Sequence, residues 1–356
     1  MQRMQGALCV AALAALLLAG CAATAPGPGS EPRSEAPSPV DPRPFFGDEA
    51  IPPLPDAEML GLDAPMRAFL AANVSPGSGP PQRLHQLLQA LLSPSSFGLQ
   101  YTTDTRSAAD TFRGRNGNCL SFTALFVAMA RELGLKARFQ EVAILPDWEQ
   151  RGDTLVLNRH VNARVWLGSA GQQSVDFASR GEAGGGLRER VISDQRAAAH
   201  FHSNLAVEKL QAGDARAAFL HMAKGLREDP AFVPLWVNLG ALYSRHGHPQ
   251  QAERAWLEAV RRDPGEVAAA SNLALLYQRL GDAARAASWA ERARHHRERN
   301  PYFRYALAKQ ALASGQPDLA LAHLDAAIRA EPGEPRFQAL RSSVQLQLEG
   351  PRGGRG

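Results

Sequence analysis

Three residues in the middle of the chain, Cys119, His160 and Asp176, have the types and the spacing of a site for nucleophilic chemistry. Cys119 follows Asn118, a residue type that caps helices, and begins a stretch in which apolar residues recur at helical spacing. The positive end of a helix dipole and its unpaired amides stabilise a thiolate, the form of cysteine that attacks a carbonyl carbon. Cys119 is therefore a candidate nucleophile, and Gly134 is the expected stop of its helix. The apolar stripe of this helix consists of Phe122, Leu125, Phe126, Met129 and Leu133.

A reactive thiol also needs a base and a group that orients the base. Polar and apolar residues alternate over 158–177, interrupted by a turn-like Gly-Ser-Ala-Gly segment, and this pattern predicts a β-hairpin. A hairpin centred at residue 168 places His160 directly across from Asp176 on one face. These two side chains are the candidates for the base and its orienting group.

The order Cys, His, Asp, with the cysteine at a helix start and the other two on adjacent strands, resembles the transglutaminase-like superfamily. Residues 115–120 (RNGNCL) and 127–134 (VAMARELG) are close to its bacterial members. The resemblance covers 105–178 well and 56–104 poorly. It implies an α+β, papain-like fold for residues 56–198, in which helices pack on an antiparallel sheet.

The resemblance also implies a role for each residue of the triad. It makes Cys119 the nucleophile, His160 the general base and then the acid, and Asp176 the group that orients the histidine. It further implies that the Cys119 backbone N–H and one side-chain donor hold the oxyanion. The candidates for that donor are Tyr101, Asn116 and Trp148.

Three alternatives stay open at this point. Asp147 and Asp153 are rival orienting groups, although they precede His160 in a predicted loop and fit the hairpin less well. Cys119 and His160 are also compatible with structural roles, as a small buried residue and a strand histidine with a satisfied hydrogen bond. The third alternative is an inactive family member that keeps the three residues as a binding site.

The C-terminal half of the chain repeats with a period of 34 residues. A plain helical bundle would not need a fixed repeat length of 34 residues. The repeat indicates units that each consist of a helix, a glycine turn and a second, antiparallel helix. The recurring residues include Gly213, Gly247, Gly281 and Gly315, then Leu205, Leu239, Leu273 and Leu307, and Ala218, Ala252, Ala286 and Ala320.

This pattern resembles the tetratricopeptide repeat, most completely in the second unit. The residues of that unit at family positions are Trp236, Leu239, Gly240, Tyr243, Ala252, Trp256, Ala259 and Pro264. We expect an all-α solenoid of four repeats over 199–334, a capping helix over 335–349 and a disordered tail over 350–356.

The repeat resemblance implies a concave groove that takes a peptide or a partner helix. Asn204, Asn238 and Asn272 keep the 34-residue step on the expected inner face and are the candidate partner-binding residues, with solvent-facing amides. Asparagine at this position also occurs in purely structural repeats. The basic run over 292–299 is an alternative surface for an acidic partner.

The N-terminus predicts export. Arg3 precedes an apolar run of twelve residues over 7–18, which is too short to span a bilayer but suits a signal peptide. The run ends in Leu-Ala-Gly-Cys, which resembles a bacterial lipobox and implies cleavage after residue 20 and lipid on Cys21. Because Ala22 follows the cysteine, the resemblance favours the outer membrane, with the protein facing the periplasm. An ordinary signal cleaved near residues 23–25 is the alternative.

Composition narrows the remaining possibilities. Residues 21–55 are rich in proline and glycine and are expected to form a semi-extended tether. The formal charge of +4 is a mild excess, and export excludes nucleic acid as a partner.

We expect no cofactor apart from the covalent lipid. No metal site is expected either, because the paired histidines lack carboxylates or cysteines at ligand spacing and should be solvated surface. These histidines are His200, His202, His246, His248, His295 and His296.

These patterns together predict an envelope lipoprotein with a thiol-dependent hydrolase or acyltransferase domain that acts on peptide or isopeptide amides. The solenoid would recruit an envelope protein or peptide. Water as the acceptor gives a peptidase or amidase and an amine gives a cross-linking transglutaminase, and the residues do not separate the two. The alternative from a different class is a non-catalytic envelope adaptor that binds proteins through both domains.

Overall fold

The computed structural model describes residues 38–55, 58–93, 97–142, 148–151, 154–157, 160–177 and 189–349, with side chains described outside 148–157 and 349. The helices are α1 Arg43–Phe46, α2 Ala64–Asn73, α3 Pro80–Leu92, α4 Ala108–Gly114, α5 Cys119–Glu132, α6 Asp194–Gln211, α7 Ala215–Glu228, α8 Val233–Arg245, α9 Pro249–Arg262, α10 Val267–Arg279, α11 Ala283–Arg299, α12 Pro301–Ala313, α13 Pro317–Ala330 and α14 Pro335–Glu349. The strands are β1 Gln100–Tyr101, β2 Asn116–Gly117, β3 Lys136–Val142, β4 Trp148–Arg151, β5 Thr154–Leu157, β6 His160–Trp166, β7 Gln172–Val175 and β8 Glu189–Val191.

An antiparallel sheet with the strand order β7-β6-β3-β8 is the centre of the first part of the chain. One face of the sheet packs on α5 through apolar residues that are all buried, among them Phe126, Phe139, Val161 and Val165. Helices α2, α3 and α4 complete the same core. The predicted fold class, an α+β domain followed by an all-α solenoid, is confirmed.

Helix α5 begins and ends where its sequence predicts. The Asn118 side chain accepts a hydrogen bond from the Ser121 N–H at 3.0 Å, so Asn118 caps the helix and Cys119 is its first residue. At the other end Gly134 takes a φ of 72°, and the Leu135 N–H reaches the Ala130 carbonyl at 2.9 Å. Glycine is suited to this position because a Cβ disfavours the left-handed region.

The solenoid is built from antiparallel helix pairs from α6 to α13, with α14 packed on the last pair. The recurring glycines lie in the turns within the pairs and adopt left-handed φ values, for example 78° at Gly247. At Gly240 glycine is required for close packing of two helices, since a Cβ there would lie 2.4 Å from Nε1 of Trp256. The 34-residue step thus records the turn and the close helix contact of each unit. Within the described residues, no helix is both long and apolar enough to cross a membrane.

Helix α6 belongs to both halves of the structure. Ala197 and Phe201 are buried in the core of the sheet domain, whereas Ala199 and Ala206 are buried in the core of the solenoid. The first helix of the repeats is therefore also a wall of the sheet domain. The predicted boundary between residues 198 and 199 falls inside this helix.

Charged contacts reinforce the packing of α6 on the sheet domain. The Arg131 guanidinium donates to both carboxylate oxygens of Asp194, at 2.7 and 2.8 Å. Farther along the helix, Nε2 of His200 lies 2.8 Å from a carboxylate oxygen of Glu141 on β3, and both side chains are buried. Burial raises the pKa of Glu141, but His200 and Arg190 outweigh it and hold that pKa at about 2.

The expectation that His200 and His202 are solvated surface is wrong. Their exposed fractions are 6% and 1%, because α6 is enclosed between the sheet domain and α7. Nδ1 of His202 lies 3.1 Å from Nδ1 of His221, which is also buried. Burial is the main cause that lowers the pKa of His202 to about 4, so this histidine is neutral at physiological pH.

The expectation of an extended tether is wrong for residues 38–49. Phe45 and Phe46 of α1 are buried against the solenoid, where Phe45 stacks on Tyr243 at a ring-centroid distance of 5.6 Å. The Tyr243 hydroxyl accepts from the Asp41 N–H and donates to the Asp41 carbonyl, both at 2.7 Å. Phe45 and Phe46 supply enough apolar area for docking, although the segment 21–55 as a whole is rich in proline and glycine. Residues 21–37 lie outside the described residues.

Replacing Phe201 by alanine should lower the free energy of unfolding by about 3–5 kcal/mol, the usual cost of truncating a buried phenylalanine. Phe201 is 2% exposed, and its loss opens the contact between α6 and the sheet domain. Chemical denaturation of the full chain, followed by circular dichroism, measures the change. Leu275→Ala, at a side chain that is 45% exposed, is the control and should stay within about 0.5 kcal/mol of the wild type. Equal effects of the two variants would contradict the shared role of α6.

Candidate active site

Cys119 is a free thiol, half-buried at the first position of α5. The backbone around it is fixed from both sides, because the Asn118 N–H donates to the Asp104 carbonyl at 3.0 Å while the Asn118 side chain caps the helix. The thiol thus lies at the positive end of a well-formed helix of fourteen residues. This is the position that the sequence predicts.

His160 and Asp176 form a close pair. Nε2 of His160 lies 2.8 Å from both carboxylate oxygens of Asp176, and the imidazole is buried. Cys119 is close enough to His160 to contribute to the raised pKa of the imidazole. The structure therefore brings the three predicted residues together in one site.

The pairing of the hairpin differs from the predicted one by two residues. β6 and β7 pair Ala163 with Val175, so the turn is centred at residue 169, and the continuation of this register places Asp176 level with Asn162. His160 and Asp176 are therefore diagonal neighbours and not directly opposite. They still share a face, because side chains alternate with a period of two along a strand.

Asn162 is a site residue that the sequence analysis missed. Its side-chain amide donates to Oδ2 of Asp176 at 3.1 Å, and it is only 2% exposed. The carboxylate is thus held from the strand on which His160 lies. The alternation of polar and apolar residues over 158–177 could have identified Asn162, because it follows His160 by two residues and so lies on the same polar face of the strand.

A buried polar layer continues from the triad across the sheet. Gln140 on β3 is fully buried, accepts from Nε of Arg164 at 2.8 Å and donates weakly to Ser174 at 3.4 Å. Arg164 in turn pairs with Glu189. Because each of these groups has a polar partner, the strands that carry His160 and Asp176 are tied together on the face that holds the site.

Opposing effects act on the pKa of His160. Burial lowers it, but the hydrogen bonds and charges of Asp176 and Cys119 are stronger together and raise it to about 9. The imidazolium is therefore the main form at neutral pH. A histidine in this form stabilises an adjacent thiolate and holds a proton for a leaving group.

The candidates for an oxyanion donor have different surroundings. Tyr101 is 59% exposed; partial burial and the negative charge at Cys119 raise the pKa of its hydroxyl, which stays protonated and able to donate. Asn116 has a buried side-chain oxygen without a hydrogen-bond partner. The Trp148 side chain lies outside the described side chains, and so do the rival orienting residues Asp147 and Asp153.

Comparisons with known proteins agree with this arrangement of domains. The family model of the transglutaminase-like superfamily matches residues 69–177, and a tetratricopeptide-repeat model matches residues 277–344. The chain therefore contains a transglutaminase-like domain followed by tetratricopeptide repeats. None of the curated proteins matches the chain.

Three of the solved structures that are similar to the chain each align with less than half of it. The MamA protein is 20% identical, with 43% of this chain and 88% of that chain covered and a TM-score of 0.27. A thermophilic tetratricopeptide-repeat protein of Thermus thermophilus is 23% identical, with 42% and 81% covered and a TM-score of 0.26. MamA of Desulfovibrio magneticus is 13% identical, with 43% and 86% covered and a TM-score of 0.27.

The three predicted partner-binding asparagines have unequal exposure. Asn204 and Asn238 are half-buried, and the Asn238 amide donates weakly to the Ser203 hydroxyl at 3.4 Å. Asn272 is only 7% exposed, so the expectation of a solvent-facing amide is wrong there. Its burial comes from the packing of neighbouring helices, which a recurrence every 34 residues does not reveal.

A second feature of the solenoid is a cavity of about 630 Å³ along α10 and α11. Small residues of α11 form much of its wall, and Arg294 and Arg297 of the basic run lie at it. The large aromatic Trp256 of the second repeat has Ala290 as its counterpart 34 residues later, which explains the open space.

His160 should titrate near pH 9 in the wild type, and Asp176→Asn should lower its pKa clearly because burial then acts against a weaker counter-charge. Proton NMR of the His160 ring measures both values. The raised pKa also stabilises the fold. This contribution is fully present below about pH 6.5, where the unfolded chain is protonated as well, and it is lost as the pH rises through about 9. An identical titration in the two proteins would contradict the His160–Asp176 ion pair.

Proposed function

We propose that the protein is a thiol-dependent hydrolase or acyltransferase that acts on peptide or isopeptide amides. Cys119 is the nucleophile, His160 the general base and acid, and Asp176 the group that orients the histidine. The observation that carries the proposal is the contact of the buried His160 with Asp176, 2.8 Å apart, beside a thiol at a helix N-terminus. The transglutaminase-like domain supports this class of chemistry.

The proposed reaction has two steps. The Cys119 thiolate attacks the amide carbonyl carbon and forms a C–S bond, and the His160 imidazolium gives its proton to the nitrogen as the C–N bond breaks. A thioester and a free amine result. In the second step His160 takes a proton from water or from an acceptor amine, and the water oxygen or the amine nitrogen attacks the thioester carbon. The C–S bond breaks, which releases a carboxylic acid or a new amide and restores the Cys119 thiolate and the His160 imidazolium. Because His160 loses its proton above about pH 9, the first step should slow there.

The negative oxygen of the intermediate needs donors near Cys119. The Cys119 backbone N–H is one, because the first amides of a helix have no partner within the helix. We assign the second role to the Tyr101 hydroxyl, which stays protonated beside the charge at Cys119. Its exposure leaves room for a substrate between the ring and the thiol.

The solenoid is proposed to recruit a protein substrate or partner, since tetratricopeptide repeats are protein-interaction modules. Asn204 and Asn238 remain the proposed contacts on the first helices of their repeats. Asn272 is proposed as a third contact, because its buried side-chain NH2 group lacks a hydrogen-bond partner among the described residues and would gain one from a ligand. Arg297 at the cavity along α10 and α11 supports a ligand with an acidic group, whereas Arg294 there already pairs with Glu291 and Glu298.

The location belongs to the proposal as well. The predicted signal peptide over 1–20 and the lipobox resemblance at Cys21 support a lipid-anchored protein of the cell envelope, held at the outer membrane and facing the periplasm. These residues lie outside the described ones. The covalent lipid on Cys21 is the only non-protein group in the proposal.

A peptide vinyl sulfone, which mimics an amide and traps nucleophilic thiols, should label the wild type at Cys119. His160→Ala should slow the labelling about 10²-fold, because the thiol then lacks its base. Mass spectrometry of the Cys119 peptide measures the rate. His295→Ala, at an exposed histidine of α11, is the matched control and should label like the wild type. Labelling that does not depend on His160 would favour the non-catalytic adaptor.

Metabolic incorporation of a fatty-acid analogue tests the anchor. The wild type should carry the label, whereas Cys21→Ala should lose it, since the thiol is the attachment point. Cys119→Ala controls for lipid at the other mature cysteine and should keep the label. Label that persists in Cys21→Ala would contradict lipidation at this residue.

A further inference from the structure

Residues 104–106 form a cradle for the start of the helix that carries Cys119. The Asn118 side-chain amide donates to the Thr105 hydroxyl at 2.7 Å, and the Asn118 N–H donates to the Asp104 carbonyl at 3.0 Å. The Arg106 N–H donates to the Ser121 hydroxyl at 2.8 Å. This cradle therefore fixes the residue before the thiol and the first turn after it.

The cradle is held in turn by the solenoid. A carboxylate oxygen of Glu208, near the end of α6, accepts from the Thr105 N–H at 2.8 Å. Thr105 is buried, so an amide without an acceptor there would carry a desolvation cost. The same threonine thus receives Glu208 on its backbone and Asn118 on its side chain.

The position of Glu208 follows from the packing of α6. Asp194, Ala197, Phe201, Leu205 and Glu208 recur at intervals of three and four residues and so share one face of the helix. The first four contact the sheet domain through an ion pair or its apolar core. Glu208 continues this face to the end that meets the Cys119 site.

We propose that Glu208 is a positioning residue for Cys119. Its carboxylate holds Thr105, Thr105 holds Asn118, and Asn118 caps the helix whose first residue is the nucleophile. The reactivity of the thiol then depends on how the first solenoid helix is seated on the catalytic domain. This inference rests on the proposed function of Cys119.

The test compares alkylation rates of Cys119 by iodoacetamide in the full chain at pH 7, followed by mass spectrometry of the Cys119 peptide. Glu208→Leu, which is close in size and has no acceptor, should slow alkylation about three- to tenfold, the range that one lost hydrogen bond produces. Glu208→Gln keeps an acceptor oxygen and should restore most of the rate. A melting temperature measured for each variant separates local from global effects.

Asp194→Asn is the matched control. It weakens the contact between α6 and the sheet domain at the opposite end of the helix, away from the cradle, and should leave the alkylation rate within about twofold. Equal rates for Glu208→Leu and the wild type would overturn the inference and leave the proposed function intact. The inference is also overturned if Asp194→Asn or Glu208→Gln slows alkylation as much as Glu208→Leu. If wild-type Cys119 reacts no faster than in His160→Ala, both the inference and the proposed function fail.

Discussion

The burial of α6 on two sides is the constraint on which the rest of the structure depends. Apolar residues at one set of positions complete the core of the transglutaminase-like domain, and small residues at the other set pack against α7 in the first repeat. Removing this helix would open the core of the sheet domain and leave the solenoid without its first helix. The two parts therefore share a folding element, although repeat units elsewhere contact only their neighbours.

Polar contacts along α6 fix the position of this shared helix on the sheet domain. The Arg131–Asp194 and Glu141–His200 pairs lie where α6 crosses the sheet domain. The Glu141–His200 pair would be costly to leave unpaired because both side chains are buried, whereas Arg131 and Asp194 are partly exposed. Buried apolar area holds the helix in place, whereas charged groups select one register. A site at the edge of this interface, such as Cys119, is then sensitive to small movements of the helix.

Inside the candidate site, burial and the charge of Asp176 act in opposite directions on the pKa of His160. Burial alone would leave His160 neutral and without the charge that stabilises an adjacent thiolate. Asp176 reverses this effect because it is held 2.8 Å from the imidazole, and Asn162 holds Asp176 from the adjacent strand. The raised pKa of His160 is thus a product of the sheet register and of the polar layer behind it.

The sequence alone determined those features whose causes are local. The cap at Asn118, the helix that begins at Cys119, the glycine turns of the repeats and the common face of His160 and Asp176 all follow from neighbours a few residues apart. The face was correct despite a register error of two residues, since a strand repeats every two. Tertiary structure decided the burial of His200 and Asn272, the docking of residues 38–49 and the double role of α6. Each depends on contacts between segments far apart in the chain, which the spacing of residues within one segment does not reveal.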